Sequence, residues 1–158
     1  MGFFKKAAIA TAMATAVVAM VGQGGALAAA GDVVAVAGTG TITPGLPTTG
    51  CAVQTDITFT GTGAVVGTDG NAIPATINFD GNSGSTCETL NSGQGGGTIT
   101  GTLAGAVTYQ RTGAVVEVFG NVSVLGSPNR TPLVAACVFV PINSNPVTAY
   151  VLICASVL

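Results

Sequence analysis

The residues of this chain best suited to chemistry are four cysteines, Cys51, Cys87, Cys137 and Cys154. An even cysteine count in a chain bound for export reads as two disulfides. Four cysteines allow three connectivities, and locality favours Cys51–Cys87 with Cys137–Cys154. Zinc is the competing reading, but it wants close cysteine pairs or histidines. There is no C-x-x-C here and no histidine anywhere. The lack of histidine also removes Ser-His-Asp, Cys-His and His-based metal chemistry. Lysine occurs only at Lys5 and Lys6, so the rest of the chain has no Ser-Lys nucleophile or Schiff base.

Carboxylates are what remain for acid–base work. Asp56 and Asp80 fall on the polar faces of two predicted strands and could be neighbours, as a glycoside hydrolase would need. Sugar sites also want aromatic platforms, and Phe59, Phe79 and Tyr109 are expected to point inward. The pair therefore reads as solvated surface charge. Asp69-Gly70-Asn71 and Asp80-Gly81-Asn82 gather oxygen ligands, but they miss the EF-hand spacing and suit plain turns. Gly61-Thr62-Gly63 and the Gly95–Gly97 run have no following helix to cradle a phosphate. Asn121-Val122-Ser123 and Asn129-Arg130-Thr131 match the glycosylation sequon. No catalytic, metal-binding or cofactor-binding residue is expected, and the chain is read as not an enzyme.

The first 30 residues look like an address. Lys5 and Lys6 precede an apolar run from Ala7 to Val21, and Ala26-Leu27-Ala28-Ala29-Ala30 offers an A-x-A-like cleavage site. The run is short for a membrane span, and Gly22, Gly24 and Gly25 break it. Residues 1–30 are thus expected to be a helical signal peptide, and residues 31–158 a secreted or cell-surface domain. That domain has about 130 residues, enough for one real core. It holds only Arg111 and Arg130 against Asp32, Asp56, Asp69, Asp80, Glu88 and Glu117. A basic footprint for nucleic acid is missing.

Periodicity predicts an all-β domain, a single antiparallel sandwich or barrel of about 8–10 strands. Its centre is a long hairpin over Thr98–Leu125. One arm carries Ile99, Leu103, Val107 and Tyr109 on one face and threonines on the other. The second arm carries Val116, Val118, Val122 and Val124 on one face. With Thr112-Gly113 as the loop, Tyr109 opposes Val116, Val107 opposes Val118 and Gly105 opposes Gly120. Upstream, Asp32–Ala37 is a strand, Gly38–Gly50 a turn-rich connection with a short strand near Thr39–Ile42. Cys51–Thr60 alternates with Cys51 on the core side. Ala72–Asp80 puts Ile73, Ala75, Ile77 and Phe79 inward, and Pro74 argues for an edge strand or one that begins late. Asp80–Gly84 reads as a turn, Thr86–Leu90 as a short strand, and Asn91–Gly97 as a flexible loop. Leu133–Val140 and Val147–Leu158 are strands apolar on both faces, buried between layers or awaiting a partner. TGAVV recurs in Ile57–Asn71 and Val107–Asn121; a duplicated half-domain would give a pseudo-symmetric sandwich, and chance similarity in a Gly/Thr/Val/Ala-rich chain is the favoured reading.

The Ala/Gly/Thr/Val bias, the low charge and the GTGTITPGLP opening resemble small exported β-proteins of high-G+C Gram-positive bacteria. In size, acidity, export and disulfide number the chain is also similar to the neocarzinostatin family of apoproteins, although it lacks their short cysteine loops. That second resemblance implies, as a fold analogy, an immunoglobulin-like sandwich holding an apolar chromophore. The leading functional expectation is an exported non-enzymatic structural or interaction protein, self-associating through its C-terminal strand. The alternative is a binding module for a small apolar ligand, with a pocket lined by Val107, Val116, Val118 and Phe119.

Overall fold

A computed structural model describes residues 31–47, 49–142 and 149–158. The predicted signal helix, and most of the predicted connection Pro141–Pro146, lie outside the described residues. Ten strands form: β1 (Val33–Thr43), β2 (Ala52–Val53), β3 (Asp56–Val66), β4 (Ala72–Asn82), β5 (Cys87–Glu88), β6 (Ser92–Gly101), β7 (Leu103–Thr112), β8 (Val115–Val124), β9 (Arg130–Pro141) and β10 (Ala149–Val157). There is no helix among the described residues. Eight strands close into one antiparallel barrel in the order β1-β10-β9-β8-β7-β6-β4-β3, and β2 pairs with β5 outside it. A single closed barrel forms, with no second sheet facing it.

The alternation seen in sequence becomes inside and outside. Val34, Val36, Ile57, Phe59, Leu103 and Val118 are among the inward side chains of the main buried core, and Ala35, Ala64 and Ala72 form a second, small buried cluster. Phe59 and Phe79 lay their rings over Gly61 and Gly81 on the same strands. A Cβ at either glycine would meet the ring at 2.4 Å, so the glycines make room for the rings.

Several expectations need correcting. The predicted first arm of the hairpin is two strands, because the chain reverses at Gly101-Thr102, where Gly101 has φ +108°. The β7–β8 loop is Gly113-Ala114, with Gly113 at φ +58°. Tyr109 therefore opposes Val118, and Val107 opposes Gly120. The pairing is two residues away from expectation, so every side chain keeps its face. The two copies of TGAVV differ in structure: in β3 it is continuous strand, whereas at Thr112–Val116 it contains the turn.

Glycine accounts for the other errors. Gly38–Thr43 continues β1 without a turn, since its glycines let the β3 backbone approach; a Cβ on Gly38 would lie 1.9 Å from the Thr60 carbonyl oxygen. Asn91–Gly97 is mostly strand β6, with no flexible loop. Asp80-Gly81-Asn82 closes β4, and the chain turns later, at Gly84 (φ +59°). Cys51 is exposed, because Gln54 (φ +56°) breaks the alternation between β2 and β3.

β4 is not an edge strand, since β3 and β6 flank it; Pro74 pairs with Ala64, and β6 meets β4 only from Ile77 onward, so the proline sits where β4 has a single neighbour. The C-terminal strand is not an edge. β10 is hydrogen-bonded to β1 on one side and β9 on the other, which removes the open ladder on which self-association was expected to rest.

Candidate functional site

Three features of the barrel have functional potential: a buried polar plug, an interior cavity and an apolar outer wall.

The plug begins with the disulfide Cys51–Cys87, which ties β2 to β5 and carries Glu88 over the barrel end. Glu88 and Arg111 are fully buried and paired at 3.2 Å. Arg111 donates from Nε and NH2 to Glu88 Oε2 at 3.2 Å each. Its remaining donors reach the carbonyl oxygens of Leu90, Gly113, Ser92 and Thr89. Tyr109 OH donates to Glu88 Oε1 at 2.9 Å. Burial, followed by this bond and the Glu88 charge, holds the Tyr109 phenol well above its ordinary value. Tyr150 is raised as well, by burial.

The glycine-rich β6 makes this plug possible. Gly93 and Gly95 are on its inward face, where a Cβ would sit 1.6 Å from Glu88 Oε2 and 2.7 Å from the Tyr109 ring. Every charged atom of the pair has a partner, so the cluster holds the fold together and offers no group to a substrate. Strand parity was a signal for it. Arg111 shares the inward register of Val107 and Tyr109, and an inward arginine demands a carboxylate.

The cavity has a volume of about 70 Å³. Phe59, Ile99, Leu133 and the Cys137–Cys154 disulfide are part of its wall. Those two cysteines are direct register partners on β9 and β10, and both face inward. Phe79 also lines it and meets Tyr109 edge-on at 6.0 Å, so the plug lies just beyond. Ser156 is the one hydroxyl among the described lining residues; it is 7 % exposed, and its Oγ has no hydrogen-bond partner among the described residues. Of the four predicted pocket residues, Val116 and Val118 line the cavity. Val107 is in the core away from it, and Phe119 has the outward parity of β8.

The outer wall is divided. Over β3, β4 and β6 it presents rows such as Thr60-Asn78-Thr100. Thr60 Oγ1 donates to Asn78 Oδ1 at 3.0 Å, and Thr41 and Thr58 share a hydroxyl bond at 2.7 Å. Over β1, β10, β9 and β8 the rows are largely apolar: Ala37-Ile153-Val138-Val115, in which Val138 is buried, then Thr39-Val151-Val140. Val134 is 56 % exposed and Val140 40 %. Glu117, opposite Ala136, and Arg130, opposite Ser123, are the charges on these four strands among the described residues.

The carboxylate candidates lie on the polar half. Asp56 pairs in register with Asn82 and accepts from its amide, while Asp80 pairs with Thr58; both are exposed on the open wall. Asp69 accepts from the Asn71 backbone at 3.0 Å and from its side chain at 2.9 Å, and these bonds lower its pKa. No cluster of three metal-ligating side chains occurs among the described residues. Asn121 and Asn129 of the two sequons are exposed.

Fold and site together define an eight-stranded antiparallel barrel with a plugged end, a small apolar interior and an amphipathic exterior. No family model matches the chain, and neither a curated protein nor a solved structure does.

Proposed function

We propose that this chain is an exported, non-enzymatic interaction module that pairs with a second copy of itself through the outer wall of β1, β10, β9 and β8. The observation that carries this reading is the apolar row structure of that wall, set against the hydroxyl and amide rows of the opposite half. With Glu117 and Arg130 as its charges, this wall offers little to a strongly charged partner. Two such walls can stack face to face, as sheets do in a sandwich, at about 10 Å.

Magnitude sets the kind of association. Four strands about 4.8 Å apart, each about seven residues long at about 3.3 Å per residue, make a wall of roughly 450 Å². That is the size of the largest apolar patches on monomers, about 300–600 Å². It falls short of the roughly 800 Å² per partner of a standard stable interface. The pair is therefore weak and concentration-dependent. Export is supported by the N-terminal segment and is compatible with the two disulfides. The secreted or cell-surface setting follows from the same features.

Sedimentation velocity over a wide concentration range tests this. The expected result is a monomer–dimer equilibrium that the double substitution Val134→Glu/Val140→Glu abolishes without changing the far-UV spectrum. Both positions are exposed, so the variant keeps its core. A wild-type protein that stays monomeric at the highest soluble concentration overturns the reading.

A further inference from the structure

We infer that the barrel interior is a binding site for a compact apolar molecule bearing a single hydroxyl, such as a small aromatic alcohol, anchored by Ser156 Oγ. This inference is independent of the outer wall. The cavity holds about 70 Å³ of space, and a water needs at least about 10–15 Å³ on the same measure. The space is therefore several times what a single water needs.

The lining decides its chemistry. The walls are aliphatic and aromatic side chains together with a disulfide. The backbone groups of β9 and β10 around Ser156 are engaged in their ladders, where Ser156 pairs with Ala135 and Val34. That leaves one unpartnered hydroxyl, more than nine-tenths buried, facing an apolar space. Buried hydroxyls are ordinarily satisfied, so this one calls for a partner. Water is a poor candidate, because a buried water needs two to four polar partners and this cavity supplies one. A molecule with one hydroxyl and an otherwise apolar body satisfies Ser156 and leaves no group of its own unpaired. The serine hydroxyl can donate or accept, so either polarity of contact is met.

Phenol and benzene are the probes, with binding to the purified protein followed by calorimetry and by shifts of interior methyl resonances. The expected result is saturable binding of both, with phenol about five-fold tighter, as one net hydrogen bond allows. In Ser156→Ala the phenol preference falls to about one-fold while benzene still binds. In Ala135→Leu, which fills the space beside Ser156, both probes are lost. Thermal unfolding of each variant verifies that it is folded. Failure of both probes to bind the wild type overturns the inference, as does equal affinity for the two. A phenol preference that survives in Ser156→Ala overturns it as well.

Discussion

At the residue scale, the clearest consequences come from groups that burial holds in one state. The chain has two tyrosines, Tyr109 and Tyr150, and both are buried with raised pKa values. Their neutral forms are favoured in the fold. The stabilisation is complete below about pH 10, the unfolded value, and is lost as pH rises above it toward the folded values. Stability should fall by about 1.4 kcal/mol per pH unit for each tyrosine in that range. Tyrosinate absorbance near 295 nm should thus appear only together with unfolding; a native titration near pH 10 would contradict the geometry. Glu88 makes a second case. Removing its carboxylate leaves Arg111 buried and unpaired, so Glu88→Ala should cost about 3–5 kcal/mol in urea unfolding. Replacing the pair together, Glu88→Leu/Arg111→Met, should cost less than the single change. The inward parity of Arg111 was legible in the sequence. Its partner was not, because Glu88 arrives from the β2–β5 pair, a flap outside the barrel sheet that Cys51–Cys87 holds together.

At the element scale, glycine decided most of what local pattern missed. NSGQGGG has the composition of a flexible linker, yet most of it is β6. Its inward glycines are occupied by side chains from elsewhere, namely Glu88 and Tyr109. A composition rule cannot anticipate that, because the reason for the glycines lies in another segment. Gly93→Ala should consequently destabilise the fold by about 1–3 kcal/mol or more, since backbone and carboxylate must both shift. The disulfides also differ by position. Cys51 and Cys87 are exposed, whereas Cys137 and Cys154 are 7 % exposed inside the barrel. Graded reduction followed by alkylation and mass spectrometry should label the outer pair first. Closing 36 residues, the outer bridge contributes about 4 kcal/mol in the chain-entropy model, so its loss should loosen the plug. Simultaneous labelling of the two pairs would count against the stated exposures.

At the scale of the whole molecule, closure changes what the apolar strands are for. β9 and β10 read as apolar on both faces, which in a layered protein means burial between sheets. Here a single closed sheet leaves one of those faces to the interior and the other to the outer wall. If that wall pairs two copies, association should strengthen in ammonium sulfate and respond little to sodium chloride, because it rests on apolar area. Sedimentation in the two salts distinguishes this from a charge-driven contact. What the sequence determined by itself was the all-β class, the inward faces of β4, β7, β8 and the first half of β3, and the lack of histidine in the chain. These depend on alternation and composition, which are local. Only the tertiary structure decided between sandwich and barrel, paired Glu88 with Arg111, and placed Ser156 against a void. Each of these depends on which distant segments meet, and strand parity is blind to that.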